Sequence, residues 1–371
     1  MDPQAQFCRN RGCRAYGRTG EGHVVIHSRA ARRYQCKRCR RTFAETAGTA
    51  LYRLRTARDE VMIVVTLLAY GCPVQAVVAA FGLDERTVAR WQTRAGSQCQ
   101  RVHEHLVQAG RIDLGQVQAD ELRVRIVGGV LWLASAIAVP SRLWLGGVVS
   151  ASRDGALIRA LLERVRACGS VQGLLLCTDG LASYPSQALR LFRTAERTGR
   201  RGRPRLALPA GLLIAQAIKR STQRRVASVE HRVVRGTADA VTAALVRTQG
   251  CLTAVINTAY VERLNATFRA RLASLTRRTR AGVHRRDTME AGMWLVGAAY
   301  NFCRPHRSLR QRQATDRAPA PRWIERTPAQ AAGLTDHPWS IHELLIFPVP
   351  GVGITRRGRR PKWLRDTVRA A

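Results

Sequence analysis

The chain has 371 residues, and its 62 Lys and Arg against 25 Asp and Glu give a formal net charge of +37. Hydrophobic residues make up 46%, enough for a real core, which excludes a wholly disordered basic tail. Only Lys37, Lys219 and Lys362 are lysines; codon bias accounts for Arg over Lys but not for the excess over acids, so DNA or RNA is the expected partner.

The N-terminal MDPQAQFCRNRGC has no signal-peptide core, and Val61 to Tyr70 is far too short to span a bilayer. Pro140-Ser141-Arg142 interrupts the longer apolar run from Val127 to Val149. Cys72, Cys99, Cys168, Cys177, Cys251 and Cys303 are scattered like reduced core cysteines. The expectation is a cytoplasmic, nucleoid-associated protein with no membrane partner.

Along the chain, residues 1–48 are Cys-, Gly- and Arg-rich. Cys8-x4-Cys13 and Cys36-x2-Cys39 have the spacing of two knuckles around one structural Zn2+, in a basic zinc ribbon too small to fold without its metal. His23 and His27 lie between the knuckles, but four thiolates already complete a tetrahedral site. Residues 49–112 show helical periodicity. In PVQAVVAAFGLDERTVAR, Gly82 breaks a short helix and Asp84 caps the next. Val77, Val78, Phe81, Leu83, Val88 and Trp91 are its expected core. This is a helix-turn-helix pattern with Arg86, Thr87 and Arg90 facing DNA; an ordinary helical hairpin has the same pattern.

From Gln116 the period changes to that of strands. Leu122, Val124 and Ile126 alternate with Arg123 and Arg125, then turns at Gly128-Gly129 and Pro140-Ser141 separate LWLASAIAV and RLWLGGVV. A helix from about Asp154 to Ala167 and a doubly buried strand ending in LLLCT follow. After a basic insertion near 193–225 come the strand RVASVEHRVV and helices near Thr237 to Thr248, Thr258 to Leu275 and Asp287 to Cys303. Residues 313–371 read as a loosely packed basic Pro/Arg-rich tail.

With so few acids, those on apolar elements stand out. Asp120 shares a strand face with Leu122, Val124 and Ile126, whereas Glu121 faces with Arg123 and Arg125 and has a simple salt-bridge explanation. Asp179 ends the buried strand, and Glu262 begins a helix with the apolar stripe Val261, Leu264, Phe268, Leu272 and Leu275. Singly, each can be a bonded core acid, a turn residue or a helix-dipole partner. Jointly, an acid on the first strand, another ending the fourth and a third on a late helix form a ribonuclease H-like arrangement. Such a trio suits two Mg2+ or Mn2+ ions, hard cations that take oxygen ligands.

The segments YQCKRCRRTF, GLDERTVARW, QADELRV, LWLASAIA, LLLCTDG, NTAYVERLNATFRARL and YNFCRPHRSLR together resemble bacterial insertion-sequence transposases of the DDE class. In that family a zinc ribbon and helix-turn-helix precede the catalytic domain. The resemblance implies that Asp120, Asp179 and Glu262 are the catalytic metal-binding triad and that Arg269 helps hold DNA. It also implies a ribonuclease H-like α/β domain over 113–312, acting on transposon ends and target DNA as a homodimer or larger assembly. Within the insertion, Arg201 and Arg203 form an RGRP stretch similar to a minor-groove hook; a solvated basic loop reads the same way. His306 lies in a family-like segment without an assigned role. The rival classes are a DNA-binding regulator without catalysis, a metal-dependent nuclease, and an RNA-binding zinc-ribbon protein.

Overall fold

The computed structural model describes residues 1–196, 205–223, 225–275, 285–313 and 322–350. The chain forms two compact units, Met1–Leu54 with Ile346–Ala371, and Arg55–Leu345. Arg201, Arg203 and the terminal RRGRRPKW lie outside the described residues.

In the first unit, β1 (Val24–Ser28), β2 (Arg33–Cys36) and β3 (Thr42–Ala44) make an antiparallel sheet in that order. Its core is small: Val24, Tyr34, Phe43 and Ala47 are buried together. A second cluster joins Cys8, Ala15 and Cys36. With so little apolar surface to remove from water, the thiolate cluster is the larger available source of stability.

The second unit opens with α1 (Arg58–Ala69), α2 (Val74–Phe81) and α3 (Glu85–Leu106). Gly82 ends α2 in the left-handed conformation at φ 61°, and the Asp84 carboxylate accepts the Thr87 N–H at 3.1 Å to cap α3. Val77, Val88 and Trp91 fill the junction, but Phe81 is 37% exposed, contrary to its expected place in that core. Nor is the helical segment separable at residue 112. α3 runs on for 22 residues, and its C-terminal half packs along a helix near the chain's other end.

A six-stranded sheet follows, built from β4 (Gln116–Ile126), β5 (Gly129–Ala138), β6 (Leu143–Ser150), β7 (Leu175–Thr178), β10 (Leu213–Thr222) and β11 (Arg225–Arg235). α4 (Gly155–Cys168) and α5 (Ser183–Leu191) flank β7, and a small hairpin of β8 (Thr194–Glu196) and β9 (Arg205–Ala207) precedes β10. The order is β11-β10-β7-β4-β5-β6, with β10, β7 and β4 parallel and the outer strands antiparallel. It is a mixed α/β sheet. Every residue of β7 is buried, as a strand covered on both faces requires.

α6 (Ala238–Gln249), α7 (Ala259–Arg271) and α8 (Arg286–Phe302) complete the scaffold. Trp144 on β6 contacts Phe268 and Trp294 with ring centroids 5.7 and 5.2 Å away. α8 lies so close that a Cβ at Gly297 would come within 2.2 Å of the Trp144 ring, and one at Gly96 on α3 within 2.4 Å of the Ala291 carbonyl oxygen. Asn301 clamps the Trp144 backbone from both sides, accepting its N–H and donating to its carbonyl at 2.8 Å each. The chain past residue 313 is not loose throughout. After β12 (His306–Gln313) and β13 (Arg322–Arg326), α9 (Pro328–Ala331) has an intact capping box at Thr327. Trp339 then stacks on Phe302 at 4.7 Å, ahead of α10 (Ile341–Ile346). The segment's Pro and Arg content hides that apolar anchoring from a reading of the sequence.

Candidate functional site

The parallel strands β4 and β7 run side by side, and each ends its shared ladder at an acid. Ala119 pairs with Thr178, and the next residues on the two strands are Asp120 and Asp179. Each places a carboxylate oxygen within 4.8 Å of the other's and of one from Glu121. A cavity of about 380 Å³ opens there, lined by Asp120, Asp179, Arg153, Lys219, Thr258 and Glu262 among others. The site thus sits at the carboxyl end of β7, beside the middle of β4, where open α/β sheets form their usual crevice.

A row of buried amides fixes the geometry. The Gln118 side chain, fully buried on β4, accepts the Tyr260 and Val261 N–H groups at 2.9 and 3.1 Å. It donates back to the Asn257 carbonyl at 2.8 Å. Two otherwise orphaned donors at the start of α7 are so satisfied by the sheet, and Glu262 follows directly on that anchor. Asn265, one turn further and 1% exposed, donates to Asp120 at 2.8 Å. From β10, Gln216 donates to the Asp179 carbonyl at 2.8 Å and pins the turn after β7.

Two cations stand among the acids. Arg153 reaches Glu121 at 3.0 Å and Asp179 at 3.6 Å, and Lys219 on β10 is ion-paired with Glu262, which also accepts from Thr258. Burial raises the Asp120 carboxyl to about 6, with the neighbouring Glu121 and Asp179 charges adding to the rise against the hydrogen bonds it accepts. Burial also raises Glu121, although Arg153 opposes it. At Glu262 partial burial is outweighed by Lys219 and Thr258, which hold the carboxyl below its ordinary value.

The expected trio is therefore gathered with one change. Asp120 and Asp179 are adjacent, but the third carboxylate in their immediate cluster is Glu121 rather than Glu262. Glu262 lines the same cavity, its carboxylate drawn to Lys219. Glu121 is salt-bridged to Arg153 rather than to Arg123 or Arg125 on its own strand face, and its side chain is fully buried. An all-oxygen donor set of three clustered carboxylates fits a hard divalent cation. Gln118, Arg153, Lys219 and Asn265 carry much of the geometry. Asn265 is signalled in the sequence by its place three residues after Glu262 on the same helix flank; Gln118 shows only as a glutamine among apolar strand residues, and Arg153 and Lys219 carry no such signal. Arg269 is exposed two turns beyond Glu262 on α7.

In the first unit, Cys8, Cys13, Cys36 and Cys39 bring their sulfurs within 4.8 Å of one another. Cys8 and Cys39 are 3.5 Å apart and Cys13 and Cys36 are 3.9 Å apart, bracketing the ~3.8 Å that a tetrahedron of 2.3 Å metal–sulfur bonds demands. At the second knuckle Arg40 takes a left-handed φ of 58° and returns its N–H to the Cys36 carbonyl at 2.8 Å. Burial, which would raise Cys39, is overcome by the Arg41 N–H and the polar side chains around it, lowering the thiol to about 7. The four residues fit a metal. His23 and His27 take no part in the cluster.

On the surface of α3, Arg86 and Arg90 are exposed and Thr87 is half-buried. Among the described residues no helix is long and apolar enough to cross a membrane. Compared with protein-family models and with curated proteins, the chain matches none.

Proposed function

We propose that this protein is a DNA transposase of the DDE class, its second unit a ribonuclease H-like catalytic domain. One observation carries the reading: Asp120, within β4, and Asp179, just past the end of β7, each follow the last parallel-paired residue of adjacent strands and share a single cavity with Glu262 from a late helix. Those strands are the first and fourth of the six-stranded sheet in chain order, the spacing such a site requires.

Asp120, Asp179 and Glu262 are the residues that would hold Mg2+ or Mn2+, with Glu121 beside them. When bound there, a pair of such ions activates an attacking oxygen and stabilises the leaving one. The chain's own contribution is preorganisation. Asn265 fixes the Asp120 carboxylate, Gln118 fixes the helix carrying Glu262, and Gln216 fixes the Asp179 turn. Arg153 and Lys219 keep the acids from repelling one another and, in the open cavity, face the phosphates of a bound strand. Cys8, Cys13, Cys36 and Cys39 would hold a structural Zn2+. That ribbon, with Arg86, Thr87 and Arg90, addresses the terminal inverted repeats, and a dimer or larger assembly holds two ends together.

The test is cleavage of a duplex carrying the inverted ends that flank the coding region, with Mg2+ or Mn2+ supplied. The wild-type protein should nick at the end and expose a 3′-OH. Asp120→Asn, Asp179→Asn and Glu262→Gln should each lose at least about 100-fold in rate, the top of the range for removing a group that merely orients a metal ligand. End binding should change little. Wild-type cutting by all three variants refutes the assignment, and binding of the ends without any cutting leaves a regulator in its place.

A further inference from the structure

The first unit contains a second cavity, of about 360 Å³, lined by Arg9, Arg11, Arg33, Arg41 and Arg53 together with Cys8, Phe43, Tyr52 and smaller neighbours. Five arginines face it, and no acid is among its described lining residues. Arg32 shows the contrast: it is neutralised by a two-pronged contact with Glu45 at 2.6 and 2.9 Å. Around the cavity the partners are neutral. Arg33 donates to the Thr42 hydroxyl at 2.7 Å and Arg41 to the Asn10 side chain at 3.2 Å, contacts that orient the guanidinium groups and leave their charge in place.

Arg9 is the decisive residue. It is only 5% exposed, its guanidinium lies 3.8 Å over the Phe7 ring, and it makes one long contact, 3.4 Å, to Gln6. Its Nε and Nη1 have no hydrogen-bond partner among the described residues. A buried cation with orphaned donors is costly unless an anion completes it. The guanidinium fork suits the two free oxygens of a phosphodiester.

We infer that this cavity clamps one backbone phosphate of duplex DNA, with Arg9 at its floor, Arg33 on its wall and Arg11, Arg41 and Arg53 at its rim. The exposed rim arginines continue the positive surface outward, as a polymer needs and a lone anion does not. The assignment rests on the DNA-binding reading above and adds where one strand is gripped.

The experiment uses the full-length zinc-loaded protein and a terminal-repeat duplex in which methylphosphonates replace phosphates one at a time. Neutralising one position should weaken wild-type binding about tenfold, the loss expected for a charge-assisted hydrogen bond. In an Arg33→Gln/Arg41→Gln variant that position should fall silent, and the slope of log affinity against log salt should become shallower by about 0.9 for each phosphate the variant leaves unneutralised. Arg9→Gln should act likewise, with the Co2+-substituted spectrum checking that the thiolate site survives. If the double variant keeps the wild-type affinity, slope and methylphosphonate pattern, the cavity is not a DNA clamp, although the protein binds DNA. Saturation by inorganic phosphate with no sensitive position along the duplex assigns it to a free anion instead. A wild-type protein that binds no duplex overturns this inference and the proposed function together.

Discussion

The two units solve one problem in opposite ways. Each brings together groups that repel or resist burial: four thiols in the first, three carboxylates in the second. In the first unit the cluster occupies a large share of a small interior, whose apolar part is mainly Phe7, Val24, Tyr34, Phe43, Ala47 and Leu51. In the second, Trp144, Phe268, Phe302 and the apolar faces of a six-stranded sheet hold the fold, and the acids are imposed on it. A ligand cluster can therefore be the source of a fold's stability or a charge against it. Removing one ligand from each unit separates the cases.

The largest effect is expected in the first unit. Cys36→Ser, or a strong chelator, should unfold it, because structural zinc contributes about 10 kcal/mol or more in modules this small. Limited proteolysis should then cut within residues 1–54, while the main thermal transition of the second unit stays within a few degrees of wild type. Survival of the β1–β3 region without metal would show that its apolar core suffices.

The second unit's stability should instead respond to its core, and His103 reports on it. This imidazole lies between Trp144 and Trp294, at 4.9 and 5.2 Å, with Nε2 3.2 Å from the Leu145 carbonyl and Nδ1 unpartnered among the described residues. Burial, with Arg164 nearby, lowers its pKa to about 3. The folded form is neutral and the unfolded form takes a proton near pH 6.5, so its contribution is intact above that pH and lost as pH falls toward 3. The loss should reach about 2 kcal/mol by pH 5. Denaturant titrations of wild type and His103→Phe across pH 7 to 4.5 should show the variant's slope flattened; parallel slopes would exclude His103 as the titrating group.

The same contrast explains what can be read from the chain alone. The cysteine spacing, the alternation in β4 to β6, the apolar run of β7 and the Asp154 cap of α4, accepting from Ala156 and Leu157, are local signals, and local chemistry enforces them. β10 is not legible. Its second half, Lys219-Arg220-Ser221-Thr222, continues the basic composition of the preceding loop, and only pairing with β7 and β11 makes it a strand. With β10 unseen, Lys219 cannot be placed against Glu262. Short α5 is masked by Pro185 in its first turn. Glu121 escapes the trio because strand alternation puts it opposite Asp120. That rule fails where β7 stops and Asp179 turns in beside both.

The smallest effect has the most telling sign. Asp120 is mostly buried beside two other acids, and its carboxyl is raised to about 6. In the metal-free protein at pH 7 its ionised form opposes folding, the reverse of an ordinary salt-bridged aspartate. Asp120→Asn keeps an oxygen to accept the Asn265 N–H and discards the charge. It should raise stability by about 1–2 kcal/mol at pH 7 and by almost nothing at pH 4. Chemical denaturation at the two pH values measures the difference. A variant that is less stable than wild type at pH 7 would mean that Arg153 and the amide network already neutralise the cluster. The second unit's acids would then resemble the first unit's thiols as contributors to the fold, and the division drawn between the two would fall.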